Sequence, residues 1–195
     1  MTDEQLMRAV RDGDLSRLGV LFERYHLALF DFLSRMTGNA GVAEDLVQDV
    51  FVRVLKYRAT FRDEGTFETW LYRIARNARV DYFKSRRPSE SIEDAAMEIP
   101  QPGEGPAEAI QREREVARLR RALLLLREDK RELIVLARYR ALKHEQIAEL
   151  LGIQVGAVKV RLHRAVQELR DIFLELPEEG AKWNAKRLVR NLQIV

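Results

Sequence analysis

The chain has no cysteine, which excludes disulfides, thiolate zinc sites and cysteine nucleophiles. It has three histidines, His26, His144 and His163. They fall on separate predicted elements, so neither a metal centre nor a histidine-based catalytic site is expected. Long apolar runs are missing too. Stretches such as Ala122 to Leu126 cover little more than one helical turn, far short of the roughly 20 residues that span a bilayer. There is no N-terminal signal pattern, and a cytoplasmic protein with no direct membrane insertion is expected. No segment alternates apolar and polar residues with the period of a strand, and no internal repeat is visible. Proline is scarce outside one region: Pro88, Pro100, Pro102 and Pro106 cluster, and Pro177 is alone. These absences leave a helical protein, not an enzyme, with no cofactor and no metal, as the expectation.

What is present is charge, unevenly spread. The net charge is only +3 over 195 residues. Residues 1–50 carry nine acids against five arginines. Residues 71–87 carry Arg73, Arg76, Arg79, Lys84, Arg86 and Arg87 against Asp81 alone. Residues 112–170 carry fifteen basic and eight acidic groups. Such segregation suggests an acidic protein-binding surface beside surfaces for nucleic acid.

Apolar residues at helical spacing predict four N-terminal helices. Thr2 or Asp3 can cap the first, which stops near Gly13. Asp14 caps a second to about Thr37, closed by Gly38-Asn39. A third runs from about Ala40 to Tyr57. A loop over 58–66 precedes a fourth, from a Thr66 cap to about Ser85. Between Pro88 and Gln111 there are six acids, two glycines and no lysine or arginine, the composition of a flexible linker. Helices resume over about Ala107 to Leu126 and Lys130 to Arg140. The expected fold is all-α, two small helical domains joined by a flexible acidic linker. The N-terminal domain takes residues 1–87, the linker 88–111 and the C-terminal domain 112–175. An extension over 176–195 carries no motif that can be read.

Lys143 to Arg170, KHEQIAELLGIQVGAVKVRLHRAVQELR, reads as two amphipathic helices around a turn at Leu151-Gly152-Ile153. That is the layout of a helix-turn-helix, whose second helix enters the major groove. On a helical wheel Val155, Val158, Leu162, Ala165, Val166 and Leu169 face inward. Gly156, Val160, His163, Arg164 and Gln167 face outward, with Lys159 at the edge. Gly156 leaves the start of the helix open to phosphate. Lys159 and Arg164 suit phosphates or guanine edges, and Val160 suits a thymine methyl. A helical hairpin with a merely solvated basic face is the plainer alternative.

The fourth helix carries a second constellation. Leu71, Ile74, Ala75, Ala78 and Tyr82 form its apolar stripe. Arg73, Arg76, Asn77, Lys84 and Arg87 lie opposite, with Trp70 at the border and Phe61 and Phe67 in or beside the preceding loop. Cations that track a backbone beside rings that stack on unpaired bases suit single-stranded DNA, and a pocket over Phe61 to Phe67 suits an extruded base. The alternative is that these rings are core. On the third helix Glu44, Asp45, Gln48 and Asp49 crowd the first turns. They complement the helix dipole or dock a basic protein partner.

Three segments in order, AEDLVQDVFVRVLKYRATF, FETWLYRIARNARVDYFKSRRP and LLLLREDKRELIVLARYRALKHEQIAELLGIQVGAVKVRLHRAVQELR, resemble bacterial RNA polymerase sigma factors of the extracytoplasmic-function (ECF) group. The resemblance spans about residues 4–174. It implies a transcription initiation factor that binds core RNA polymerase, directs it to promoters and helps melt the −10-type region. It implies that Asp45, Leu46, Gln48 and Asp49 dock on the polymerase. It implies that Phe61, Phe67, Trp70, Arg73 and Asn77 capture the non-template strand, and Arg76 and Lys84 share that basic face. Lys159, Val160, Arg161, His163 and Arg164 would read the −35-type element or its phosphates. An anti-sigma factor is the implied regulator. Val160 departs from the small polar residue many members have there, and Gln154 from their serine or proline. A helix-turn-helix regulator that acts without polymerase is the main alternative, and a nucleic-acid enzyme a weaker one.

Overall fold

The computed structural model describes residues 1–62, 65–85 and 106–177, of which 106–109 are described as backbone only. The expected linker over 88–105, Arg87, the centre of the 61–67 loop and the extension beyond Pro177 lie outside the described residues. Eight α-helices and no strand are found among the described residues: α1 (Asp3–Arg11), α2 (Ser16–Thr37), α3 (Ala40–Tyr57), α4 (Phe67–Ser85), α5 (Pro106–Leu125), α6 (Glu128–Ile134), α7 (His144–Leu151) and α8 (Val155–Glu175).

Local chemistry accounts for most of the boundaries. Thr2 and Gln5 form a capping box at the start of α1, satisfying two backbone N–H groups that a helix start leaves unpaired. Gly38 closes α2 in a left-handed conformation, φ 73°, which a residue without Cβ adopts freely. Asn39 then caps α3 by accepting from the Val42 N–H at 2.9 Å. Asp14 does not cap α2. Its carboxylate accepts from Ser16 Oγ and Arg17 Nε instead, and Leu15 holds the cap position with no side-chain bond.

α1 to α4 pack as one bundle around Met7, Leu29, Phe32, Val50, Leu71 and Tyr72. α1 is pinned by its polar ends. Asp3 accepts from Arg24 and from the Tyr25 hydroxyl, Glu4 accepts from the Phe67 N–H at 3.3 Å, and Arg11 donates to the Phe61 carbonyl at 3.3 Å. α5 to α8 pack around Leu123, Ile134, Leu136, Ile147, Val158 and Leu169, which belong to the same buried cluster. Helix α5 begins at Pro106, inside the segment expected as linker.

The helix expected over Lys130 to Arg140 is two pieces. After Ile134 the backbone widens into a π-helical turn, Val135–Tyr139, in which the Arg140 N–H reaches the Val135 carbonyl at 3.0 Å. Ala141 follows with φ 52°, and the Leu142 N–H returns to the Leu136 carbonyl. The extra residue per turn lets Leu136 and Leu142 both enter the core.

Candidate nucleic-acid interface

The turn between α7 and α8 is built as the sequence indicates. Gly152 ends α7 at φ 66°, and the Ile153 N–H bonds to the Ala148 carbonyl at 3.0 Å. This six-to-one bond satisfies the last carbonyls of α7 and swings the chain into α8. Val158, Leu162, Ala165 and Leu169 are buried and seat α8 on the domain. Lys159, Val160, Arg161, His163 and Arg164 are all exposed, and Val160 shows 51% of its surface. No ion pair ties Lys159, Arg161 or Arg164 among the described residues. Three cations and an apolar methyl pair therefore project from one rigid helix face, ready for phosphates and base edges.

The fourth-helix set divides. Arg73, Asn77, Val80 and Lys84, three to four residues apart, form an exposed stripe, with Phe83 half-exposed beside it. Arg76 turns away from that stripe, toward the C-terminal domain. Its Nε and Nη2 grip the two carboxylate oxygens of Glu132 at 2.6 and 3.1 Å, and its Nη1 donates to the Leu150 carbonyl at 3.1 Å. Arg79, one turn on, is 4% exposed and paired with Glu128. That hydrogen bond holds the Glu128 carboxyl below its ordinary range. Arg73 itself reaches Glu149 of α7 at 3.3 Å. The basic face expected to be free is thus partly spent on the second domain.

Two of the rings take the core alternative. Phe61 and Phe67 are 2% and 0% exposed. They pack on Trp70, on each other and on Tyr25, with centroids 5.3 to 6.2 Å apart. Burying these apolar surfaces outweighs holding them open for a ligand. Phe61 and Phe67 are therefore core residues, while Trp70 is half-buried beside them.

On α3, Asp45 and Gln48 are exposed and Asp49 is half-buried. Asp49 accepts from Arg53 at 2.9 Å, and Arg53 also donates to Asp81 of α4 at 2.6 Å. Leu46 is 1% exposed and belongs to the core, so it seats the helix. Sequence reasoning passed over Val52, 64% exposed on the same face. Its place seven residues after Asp45 is the signal that marks it. It also passed over Glu132 and Glu128 as partners for α4. Among the described residues no helix is long and apolar enough to cross a membrane, and no cluster of acidic, His or Cys side chains has metal-site geometry.

Comparison with known proteins covers both halves of this geometry. Residues 21–88 match the family model for Sigma-70 region 2, and residues 117–169 the model for Sigma-70, region 4. The chain is 34% identical over 183 residues to RNA polymerase sigma factor CarQ of Myxococcus xanthus, covering 90% of this chain and 100% of that one. It is 32% identical over 179 residues to the ECF RNA polymerase sigma-E factor of Escherichia coli strain K12, covering 85% and 91%. Among solved structures, CnrH in complex with the cytosolic domain of CnrY aligns with a TM-score of 0.67 and 26% identity, over 87% of this chain and 96% of that one.

Proposed function

Because this chain belongs to the sigma-70 family, in its extracytoplasmic-function group, we propose that the faces described above divide the recognition of one promoter between them. A sigma factor directs core RNA polymerase to promoters at transcription initiation, and that is the function of this chain. The residue assignments are our reading. α8 enters the major groove of the −35-type element, with Lys159, Arg161 and Arg164 on phosphates or guanines, His163 on a base edge and Val160 on a methyl. Arg73, Asn77 and Lys84 meet the −10-type element, Trp70 borders the captured strand, and Arg76 joins once it is free of Glu132. Phe61 and Phe67 support Trp70 from the core. Asp45, Gln48 and Asp49, with Val52 at their side, dock on polymerase.

The observation that carries this reading is the state of α8: five exposed side chains aimed outward, with no ion pair to them among the described residues, on a helix locked by five buried ones. Two short DNA contacts are each weak. Mounted on one polymerase, they act at high effective concentration and become selective. Strand opening then follows from preferential binding of the separated strand. The chain works as an adaptor, and its own residues make or break no bond. A protein regulator of the anti-sigma kind is the natural partner in its inactive state.

Core polymerase lacking any sigma factor tests the reading. The chain should co-elute with it and support run-off transcription. Gln48→Ala with Asp49→Ala should abolish co-elution while the variant stays folded. Lys159→Ala should keep the complex but weaken promoter binding by about 1–3 kcal/mol if it reads a base, or lower the salt slope by about one if it holds a phosphate. Tight binding of duplex DNA by the chain alone, with no polymerase complex, would replace this reading with an independent regulator.

A further inference from the structure

We propose that Arg53 of α3 is a positioning residue for promoter recognition: it holds and neutralises Asp81, the one acid in the cationic segment of α4, so that this carboxylate does not turn the single strand away. The inference rests on the assignment of Arg73, Asn77 and Lys84 to the −10-type element.

Residues 71–87 carry six cations and a single acid, Asp81. Side chains three and four residues apart on a helix are neighbours, with Cβ atoms about 5–6 Å apart. Asp81 therefore stands beside Lys84 on one side and Asn77 on the other, both members of the exposed stripe. Its own side chain is 55% exposed. A phosphate held at Lys84 comes within the screening length of that carboxylate, roughly 8 Å at physiological ionic strength. Left alone, the acid would repel the backbone that the stripe is built to hold.

Arg53 cancels that charge from a different helix. Its Nη1 donates to Asp81 Oδ2 at 2.6 Å, and its Nε donates to Asp49 Oδ2 at 2.9 Å. Asp49 lies one turn back on α3, so the second bond fixes the guanidinium from its own helix. The planar fork then carries Nη1 across to α4 in a set direction. The Arg53 side chain is 21% exposed, so the cation stands behind and the acid in front. The hydrogen bond from Arg53 is the first cause that holds the Asp81 carboxyl below its ordinary range. The acid is thus ionised and countered at any pH at which the chain meets DNA.

A staple between α3 and α4 does not account for the pair. The two helices already pack on each other and bury Val50, Val54, Leu71, Ala75 and Ala78. An ion pair this open to water contributes little to folding. Its effect falls instead on a ligand that carries charge. With Arg53 in place, its charge and that of Asp81 cancel at the edge of the stripe. Without Arg53 the same edge carries one more negative charge. A charge about 7 Å from a phosphate changes affinity by about threefold in a water-like dielectric, and by more where water is partly excluded.

The test uses the full chain and two fluorescent single strands, oligothymidylate and oligocytidylate, with binding read by anisotropy. Arg53→Met uncovers Asp81 and should weaken both by about threefold or more. Asp81→Asn removes the acid and should tighten both by a similar factor. The double variant restores the sum of charge and should return to wild-type affinity, a rescue that a merely structural role for Arg53 would not give. Each change should shrink as salt rises. Asp81→Asn alters an exposed side chain, so its prediction stands should Arg53→Met fail to fold. Lys84→Ala is the reference for the assignment of α4 and should weaken both strands. Weaker binding by Lys84→Ala with unchanged affinity in Asp81→Asn overturns the proposal and leaves that assignment standing. Weaker binding of oligocytidylate alone by Asp81→Asn makes Asp81 an acceptor for a base amino group and likewise overturns the proposal. No effect of Lys84→Ala overturns the assignment and the proposal together.

Discussion

Arg131 gives the sharpest stability prediction. From α6 its guanidinium donates to the carbonyls of Leu123, Leu124 and Leu126, at 3.1, 2.6 and 3.1 Å, and to that of Met36 at 2.8 Å. The first two lie in the last turn of α5, Leu126 just beyond it, and Met36 in the last turn of α2. Carbonyls at a helix end have no partner within the helix and carry the negative end of its dipole. One cation therefore closes two helices. Burial pulls the pKa of Arg131 below its ordinary value, although arginine keeps its proton in any usable buffer. Arg131→Met retains the apolar stem and removes every donor. A hydrogen bond to a charged group contributes about 1.5–3 kcal/mol. Simple addition over the four bonds overcounts, because the freed carbonyls regain water and the cost of burying the guanidinium disappears. A loss of about 2–4 kcal/mol is expected. Arg131→Lys, a point donor in place of a fork, should recover about 1 kcal/mol of it. Urea unfolding followed by helical circular dichroism measures both, with the slope of the transition checked for constancy. A loss below about 0.5 kcal/mol, within the range of an ordinary surface substitution, would refute the reasoning.

Two further outcomes are expected. Gly38→Ala should cost about 1–2 kcal/mol for the left-handed backbone, with an added shift of Leu124, whose Cδ1 would sit 2.9 Å from the new Cβ; an unchanged urea midpoint would contradict this. Arg79, Arg76 and Arg131 act on Glu128, and its carboxyl is held below its ordinary 4.5, first by the hydrogen bond from Arg79. A carboxyl lowered in the folded state adds stability above its unfolded pKa and loses it as pH falls through the folded value. Wild type should therefore be more stable than the Glu128→Gln variant at pH 6, and the difference should vanish as pH falls below 4.5. A difference that persists in acid would exclude the ion pair as its source.

Features written in local chemistry were legible in advance. The limits of α3, the glycine that ends α2 and the glycine in the α7–α8 turn follow from caps and backbone freedom, which act within a few residues. The inward face of α8 follows from its 3.6-residue period. The split of the α4 arginines was not legible. A wheel gives the angle between Arg73 and Arg76 but not that a second domain lies on one side of it. Burial of Phe61 and Phe67 depends on Tyr25, far away in sequence, and the π-turn at Val135–Tyr139 on the fit of Leu136 and Leu142 into a core shared by other helices. Glu132 borders the apolar run Leu133 to Ala137, where a lone acid is costly to bury, and that cost was the available sign of a cationic partner.

The pairing of Arg73, Arg76 and Arg79 with glutamates of the other domain bears on inheritance and on engineering. Substitutions at these six positions cannot drift independently, since a change on one side alters the fitness of a change on the other. Relatives should preserve the pairs or lose them together. Promoter-switching chimeras, assembled by grafting a foreign helix-turn-helix domain onto this N-terminal half, would inherit new DNA specificity and mismatched charges at the junction. Such grafts should be designed with positions 128, 132 and 149 carried over from the recipient.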